Sequence, residues 1–391
     1  MRVTIVELFK IIFNMDRNHE VYRHKHIVFA QDHYNPLGII RSLGEEGIKP
    51  IVVLCCDKPH FLHKSKYIGT LHICNDLEAG MELIISQYGN EKLKPFIYNG
   101  GEDPGILLDN RYEELKDKFY FFNGQGTIAK SMQKYENCLM ASQCGISVPK
   151  EEYLERGVLP TTLKYPIMTK ASTSACGGNW KGDSFICNTP DELTEAYKKI
   201  KSELVLVQEF IVKENELCLD GISINGGEDI YIPYGCSYYR FTPESYGNYM
   251  YFYPFIDAEL LQKIHKLIKM SRYTGVFCIE FLKGKDGGCY FLEVNYRNSG
   301  WSYAFTVGGF NLPFRWAVSV LDNKLYTSDF THKKSFSAMN DFSDLKDVVK
   351  TKSTSIFAWI KQYLTTDCHY YYNGKDSKPF WFCLLHKFHL A

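Results

Sequence analysis

Two short apolar segments on either side of an Asp-Gly pair constrain the fold of this chain more than any other feature. The segments cover residues 276–282 and 289–297, and the Asp-Gly pair lies at 286–287. Asp-Gly strongly favours a two-residue hairpin turn. A turn at this position pairs Leu282 with Phe291 across two antiparallel strands. We therefore predict a β-hairpin in this region.

The predicted hairpin gathers polar side chains on one face. The same turn pairs Glu280 with Glu293, and alternate residues of a strand point to the same side of a sheet. Glu293, Asn295 and Arg297 therefore share a face, and Glu280 joins them as the cross-strand partner of Glu293. Two carboxylates and an amide are thus expected close together, with an arginine beside them.

The opposed carboxylates indicate a bound cation. Like charges directly across a strand pair repel, and an unpaired charge in an otherwise apolar strand is costly. Carboxylate and amide oxygens suit Mg²⁺, which takes its remaining ligands from phosphates and water. Arg297 would then stabilise negative charge that develops nearby. For the hairpin alone, a solvent-facing polar stripe with an Arg–Glu ion pair is an equally good interpretation.

The N-terminal part of the chain has the pattern of an α/β domain. A short apolar strand at 27–30 is followed by a turn-rich loop, a helix that ends at Gly44 or Gly47, and a second strand at 51–54. This order predicts a parallel sheet, in which ligands bind at the carboxyl ends of the strands.

Polar residues lie at that edge of the predicted sheet. A later strand at 96–98 leads directly into an acidic loop. Asn35, Arg41, Glu102 and Asp103 either face a substrate there or serve helix capping and turn formation. The sequence leaves both alternatives open.

A loop of small residues follows another predicted strand. Lys170 ends a strand that begins at Tyr165, and it opens the loop at 171–181, which contains Gly177 and Gly178. Small residues allow backbone N–H groups to close around phosphate oxygens, and the lysine supplies positive charge. The spacing is not that of a P-loop. A plain surface loop is the simpler interpretation of this segment alone.

A buried strand at 204–210 ends in a mixed polar and apolar stretch. The backbone of Glu209, Phe210 and Ile211 could offer hydrogen bonds to the edge of an adenine ring, with apolar side chains as walls. Glu216 lies further along and could bind ribose hydroxyls. An edge strand with a solvated glutamate is the alternative.

Helix signals complete the pattern. Residues 130–144 are predicted to form one helix, which Gly145 closes. The segment 189–192, Thr-Pro-Asp-Glu, has the form of a capping box with proline at the first helical position. Another amphipathic helix carries apolar residues from Leu260 to Ile268 on one face, with Gly275 as its stop.

Composition excludes several classes of protein. The 391 residues suggest two or three packed domains. Lys+Arg and Asp+Glu balance at 45 each, so there is no basic field for nucleic acid. The 13 cysteines form no CxxC pair and indicate reduced thiols in the cytoplasm. No apolar run is long enough to span a bilayer, so we expect neither a stable membrane anchor nor a signal peptide.

The order of these segments resembles that of the ATP-grasp superfamily. The order is a lysine with a small-residue loop, then Gln-Glu-Phe-Ile, then a glutamate, and finally Glu-x-Asn-x-Arg with a glutamate upstream. The resemblance covers about residues 130–317, and residues 27–103 resemble the domain that precedes ATP-grasp folds. Residues 35–43 look like the corresponding segment of predicted ATP-dependent carboxylate–amine ligases related to D-aspartate ligase.

The resemblance implies an α/β protein in which an ATP-grasp fold follows a Rossmann-like parallel-sheet domain. It divides the chain into four parts: an N-terminal extension at 1–25, a pre-ATP-grasp α/β domain at 26–125, an ATP-grasp domain at 126–322, and a C-terminal segment at 323–391 that packs on the core.

The resemblance also assigns roles to individual residues. Glu280, Glu293 and Asn295 would hold Mg²⁺, for which Mn²⁺ can substitute, and Arg297 would stabilise the acyl-phosphate and tetrahedral states as the catalytic residue. Lys134 and Lys170 would contact the ATP phosphates, although Gln133 replaces the aspartate that usually precedes the first lysine, which leaves Lys130 as a substitute. The remaining nucleotide contacts would come from Gly177, Gly178, Glu209, Phe210, Ile211 and Glu216.

The function that this resemblance implies is ligation. ATP and Mg²⁺ would activate a small-molecule carboxylate as an acyl phosphate, which an amine attacks to give an amide, ADP and phosphate. A kinase of the same fold that phosphorylates a small molecule and a non-catalytic nucleotide-binding module are the alternatives. No nucleic-acid partner is expected, and a homo-oligomer is compatible with this function.

Overall fold

Three β-sheets form the framework of the protein. The computed structural model describes residues 18–171, 184–241, 247–327 and 333–387. Every strand within these ranges belongs to a five-stranded, a four-stranded or a seven-stranded sheet.

The first sheet is parallel throughout, as predicted. Its strands are β1 (His26–Ala30), β2 (Ile51–Cys55), β3 (Thr70–Cys74), β4 (Phe96–Asn99) and β5 (Tyr120–Phe121). Their order is β3-β2-β1-β4-β5, so the chain proceeds outward from β1 in one direction and then returns to its other side with β4. The loops after β1 and β4 therefore open a crevice at the point where the strand order reverses, which is where ligands bind in open α/β sheets.

The second sheet is small and antiparallel. It consists of β6 (Glu151–Glu155), β7 (Ile167–Ala171), β8 (Ile186–Cys187) and β9 (Leu204–Glu209), in the order β6-β9-β7-β8. Among the described residues, its apolar side chains form a cluster of their own, around Ile167, Leu193 and Val207. This sheet with its helix is thus a small packing unit beside the main core.

The third sheet is the largest. Its strands are β10 (Lys213–Ile224), β11 (Asp229–Arg240), β12 (Tyr249–Pro254), β13 (Gly275–Gly284), β14 (Cys289–Asn295), β15 (Phe336–Met339) and β16 (Cys368–His369). Their order is β14-β13-β10-β11-β12-β15-β16, and each pair is antiparallel except the last.

The predicted hairpin is β13–β14, and its register is partly as predicted. Glu280 pairs with Glu293 as expected, but Leu282 pairs with Tyr290 and not with Phe291. Five residues separate the paired Lys283 and Cys289, one fewer than the predicted turn requires, and a bulge at Leu292 between the turn and the glutamates adds one residue back on β14. The two departures cancel, and the carboxylates are opposed as predicted.

Helices cover the sheets. Their bounds are Tyr34–Glu45, Leu77–Tyr88, Glu102–Asn110, Tyr112–Leu115, Ile128–Ser131, Lys134–Gln143, Pro190–Tyr197, Ala258–Met270, Ser302–Val307, Leu312–Leu321, Asp341–Thr351, Ile356–Thr365 and Lys378–Lys387, with 3₁₀ turns at Glu20–Arg23, Leu62–Lys64 and Asn225–Gly227.

Two of the helix predictions need comment. The single helix expected at 130–144 is two helices, because the chain is extended at Gln133, where ψ is 130°. Thr189 caps its helix as predicted, since its side chain accepts a hydrogen bond from the Glu192 amide. No helix within the described residues is long and apolar enough to cross a membrane.

One continuous core joins the first sheet to the seven-stranded sheet. Trp316 is fully buried and packs its ring against Phe96, Tyr98 and Phe122 of the first half of the chain. Val21, which precedes β1, is buried in the same core. The two large sheets therefore form a single packed body, against which loops at the end of β4 can be held near the hairpin.

The segment that follows residue 333 is part of this body. It supplies β15 and β16 to the seven-stranded sheet and then a loop that lies over the first helix. Arg41 is fully buried there and forms an ion pair with Asp376, with Nε 3.1 Å from Oδ2, and it donates to the carbonyls of Tyr370 and Tyr371. The interpretation of Arg41 as a substrate-facing residue is therefore wrong, because all three nitrogens of its buried guanidinium donate to the C-terminal segment.

Candidate active site

The two glutamates of the hairpin face one another across a shared amide. Asn295 Nδ2 lies 3.2 Å from Glu280 Oε1 and 3.2 Å from Glu293 Oε1. Burial, the charge of Glu293 and that of Glu216 raise the pKa of Glu280 well above its ordinary value. The sheet thus holds two carboxylates in a place where neither is neutralised by a lysine or arginine contact of its own in the described part of the chain.

This set of atoms fits a hard divalent cation. Both carboxylates converge on one point, and a half-turn of the Asn295 amide, which would end the contact of its oxygen with Arg297, presents this oxygen to the same point. The described residues hold no cluster of three or more His, Cys, Asp or Glu that could hold a metal by itself. Such a site suits Mg²⁺, which binds through one or two carboxylates together with substrate phosphates.

Arg297 lies next to this pair, as predicted. Its Nη2 is 3.2 Å from Asn295 Oδ1 and 2.9 Å from Glu102 Oε1. Burial by itself would lower the pKa of Arg297, but Glu102, Cys278 and Glu280 together raise it. The guanidinium is therefore charged and held between the hairpin and the first turn of the helix Glu102–Asn110.

Two lysines, Lys170 and Lys134, supply positive charge near Glu293. Lys170, near the end of β7, donates from Nζ to Gln208 Oε1 at 2.7 Å. Burial and the neighbouring charge of Lys134 lower the pKa of Lys170, while Cys138 and Glu293 act in the opposite direction. Lys134 begins the helix Lys134–Gln143, so it is Lys134 rather than Lys130 whose charge acts on Lys170. Two cations this close suit a polyanion such as a triphosphate.

The segment expected to contact adenine connects the small sheet to the large one. Glu209 Oε1 accepts a hydrogen bond from the Lys150 amide at 2.9 Å, and the Phe210 amide donates to the Pro166 carbonyl at 3.1 Å. Ile211 packs so closely on Gly284 that a Cβ there would lie 2.9 Å from Ile211 Cγ2. The backbone of this connection stays the predicted adenine edge. Gly177 and Gly178 lie outside the described residues.

No protein-family model matches the chain. It is similar to biotin carboxylase of Nostoc sp., with 26% identity over 186 residues that cover 44% of this chain and 40% of that enzyme. The matched part is thus less than half of the length of this relative.

Two solved structures superpose on most of the chain. N5-carboxyaminoimidazole synthetase of Staphylococcus aureus, also solved with ADP, matches with a TM-score of 0.65 and 15% identity, over 84% of this chain and 85% of that chain. An L-amino acid ligase of Bacillus licheniformis matches with a TM-score of 0.58 and 15% identity, over 80% of this chain and 79% of that one. These proteins share one architecture. The chain has the ATP-grasp fold.

In this ATP-grasp fold, Glu216 lies on β10 and on the same face of the sheet as Glu280. Cys218, two residues further along β10, is the residue that pairs with Glu280. Glu216 is buried and forms an ion pair with Lys213 at 2.7 Å, in which both side chains are less than 10% exposed. Burial raises the pKa of Glu216, Lys213 lowers it, and Glu293 raises it. Reasoning from the sequence did not identify Lys213, because residues three apart point to opposite faces of a regular strand. A register shift between Lys213 and Asn215 brings the two charges together.

The sequence also missed Asp220, which supports the loop that follows Arg297. Asp220 is buried on β10, and its Oδ2 accepts hydrogen bonds from the hydroxyls of Ser299 and Ser302. Burial raises the pKa of Asp220, against the effect of these hydrogen bonds. The available signal was an aspartate in an otherwise apolar strand, where a buried charge requires partners.

Of the residues at the edge of the first sheet, Glu102 and Asn35 contact the segment that contains Arg297 and Asn298. Asn35 Nδ2 donates to the Asn298 carbonyl at 2.5 Å, and Glu102 binds Arg297. Asp103 is exposed. The edge of the first sheet and the end of β14 therefore form one site.

Proposed function

We propose that this protein is an ATP- and Mg²⁺-dependent ligase that activates a carboxylate as an acyl phosphate and joins it to an amine. The observation that carries the proposal is the convergence of Glu280, Glu293, Asn295 and Arg297 with the paired charges of Lys170 and Lys134. Phosphoryl transfer needs groups that position and neutralise phosphate, and this cluster supplies both kinds.

Each group would have a defined task. Glu280, Glu293 and Asn295 would hold Mg²⁺, which neutralises phosphate charge when it is bound. Lys170 and Lys134 would bind the phosphate oxygens of ATP. The planar guanidinium of Arg297 would stabilise the oxyanion at phosphorus and then at carbon, since its fork matches such oxygens.

The nucleoside contacts belong to the same proposal. The backbone at 209–211 would bind adenine. Glu216 would bind the ribose hydroxyls, in competition with its ion pair to Lys213. Gly177 and Gly178 would close over the phosphates.

Similar proteins and one segment of the sequence support ligation. The names of two of them, an amino acid ligase and a synthetase, describe bond-forming enzymes. The segment at 35–43 favours carboxylate–amine ligases related to D-aspartate ligase. We also propose the four-part division at 1–25, 26–125, 126–322 and 323–391, and an enzyme of the cytoplasm without a nucleic-acid partner, which is compatible with a homo-oligomer.

The test is a screen of amino acids as carboxylates and amines with Mg-ATP, in which phosphate release is measured. Release that requires both a carboxylate and an amine supports ligation. A stable phosphorylated product formed without an amine would instead identify a kinase. Nucleotide binding with no turnover of any pair would leave a binding module.

A further inference from the structure

Glu102 reaches the candidate catalytic arginine from a different sheet. It is the first residue of the helix Glu102–Asn110, which follows β4 at the point where the strand order of the first sheet reverses. Its Oε1 lies 2.9 Å from Arg297 Nη2. Because Arg297 is the group proposed to face the reacting carbon, Glu102 lies beside that carbon as well.

The Glu102 carboxylate is accessible to solvent, and one of its oxygens can still accept hydrogen bonds. Its side chain is 39% exposed, compared with 20% for Arg297. Among the described residues, its one contact is the ion pair, which uses Oε1. A carboxylate has lone pairs on both oxygens, so Oε2 can accept a hydrogen bond from a further N–H donor.

Two asparagines on the segments next to Glu102 and Arg297 each have an amide oxygen without a partner in the described part of the chain. Asn99 Nδ2 donates to the Gly101 carbonyl at 3.2 Å, and Asn35 Nδ2 donates to the Asn298 carbonyl. Both contacts fix the orientation of the side-chain amide. The partner is a backbone carbonyl, which can only accept a hydrogen bond, so the amide nitrogen and not the amide oxygen must face it. The Oδ1 atoms of Asn35 and Asn99 are therefore the free ends, and both are buried without a partner in the described part of the chain.

The segments that carry these asparagines touch one another. A Cβ added at Gly100 would be 2.7 Å from Pro36 Cβ, so the helix Tyr34–Glu45 that follows β1 contacts the loop after β4. A Cβ at Gly105 would be 2.4 Å from Asn99 Nδ2 and 3.9 Å from the Tyr296 carbonyl, which brings the end of β14 to the same place. The exposed Glu102 carboxylate suits a ligand that presents N–H groups and disfavours an anion.

On the basis of the proposed function, we propose that Glu102 receives the amine substrate, a primary amine that arrives as an ammonium ion, and removes one of its protons. The loss of this proton frees the lone pair of the nitrogen, which attacks the carbonyl carbon of the acyl phosphate and forms the C–N bond, while Arg297 stabilises the oxyanion on carbon. The C–O bond to phosphate then breaks, and phosphate leaves with the electron pair. The departing phosphate takes the second proton from the nitrogen, which leaves a neutral amide and hydrogen phosphate.

This assignment separates the two halves of the reaction. Acyl-phosphate formation needs the metal ligands, the lysines and Arg297 but not a base. Amide formation by an ammonium ion needs one in addition. Hydroxylamine is mostly uncharged at neutral pH and attacks acyl phosphates without a base, so it reports the first half alone.

The experiment compares wild type with Glu102→Gln, using the protein amino acids as carboxylates, Mg-ATP, and either hydroxylamine or the same amino acids as amines. We expect hydroxamate formation within about threefold of wild type, and amide formation reduced about 10²–10⁴-fold, the usual contribution of a general base. Glu102→Asp should recover part of the amide activity. Glu78→Gln is the matched control, because Glu78 is an exposed acid in the first turn of another helix of the same sheet.

The outcomes are distinct. Equal losses of hydroxamate and amide in Glu102→Gln would mean that Glu102 only holds Arg297, and unchanged rates for both would mean that it has no role; either result overturns the inference. A wild-type protein that forms no hydroxamate from any carboxylate would remove the proposed function and the inference with it. Thermal melting of each variant shows whether a loss of rate is a loss of fold.

Discussion

Glu293→Gln should make the protein more stable and inactive at the same time. Glu280 Oε1 and Glu293 Oε1 both lie 3.2 Å from Asn295 Nδ2, so they are at most twice that distance apart. Two full charges at this separation repel by on the order of 2.5 kcal/mol at an effective dielectric constant of about 20. The substitution removes the repulsion, together with a ligand for the metal.

The gain should depend on pH in a defined direction. Burial and Glu293 raise the pKa of Glu280 in the folded protein, so the folded state retains a proton that the unfolded chain loses near its ordinary value. Stability of the metal-free wild type is therefore highest below that value and falls as the pH rises toward the raised pKa. The advantage of Glu293→Gln over wild type should be small at pH 5 and larger at pH 8.

The assay is thermal melting in EDTA and in excess Mg²⁺ at both pH values, with phosphate release as the measure of activity. For a chain of 391 residues, 2.5 kcal/mol corresponds to a rise in Tm of about 3 °C. Mg²⁺ should stabilise wild type more than the variant. If the variant melts below wild type at pH 8, or if Mg²⁺ raises both melting temperatures equally, the two glutamates do not form a metal site.

Three further predictions concern single residues. Arg297→Ala should lower kcat about 10²–10³-fold with little change in ATP affinity, and lysine should rescue it poorly; near-normal kcat with lost affinity would make Arg297 a binding residue. Lys170→Ala should weaken ATP binding, measured by calorimetry, more than it changes the melting temperature without nucleotide. Arg41→Ala should destabilise the protein by about 3–5 kcal/mol in denaturant melts, because it leaves the buried Asp376 unpaired, and KM values of the remaining folded enzyme should stay unchanged.

Local signals in the sequence were sufficient for the elements that carry the site. The apolar run that ends in Glu293-x-Asn295 defines its own strand, and alternation places these two side chains on one face, whereas Arg297 lies beyond the last residue of β14. The opposed position of Glu280 follows from the predicted turn, although the real turn shifts the register by one residue and a bulge on β14 compensates for this shift. The pairing of the glutamates was therefore correct for a reason that was only half right.

Contacts that depend on irregular backbone or on distant segments could not be predicted in this way. The ion pair of Lys213 with Glu216 requires a register shift, which the alternation of apolar and polar residues along the strand does not predict. The contact of Glu102 with Arg297 joins residues 195 apart in the sequence, and only the packing of the two large sheets on a shared core brings them together. Gln133 interrupts a helical pattern through its backbone angle and not through its residue type.

The buried guanidinium of Arg41 has a consequence for the synthesis of this chain. Its carboxylate partner, Asp376, follows it by 335 residues. A ribosome that adds about 5–20 residues per second needs roughly 20–70 s to cover that interval. Until then the arginine has no counter-charge from this segment, and burying it alone is costly. The helix Tyr34–Glu45 therefore cannot complete its native packing until nearly all of the sequence has emerged, so chaperones have a long interval in which to bind the nascent N-terminal sheet.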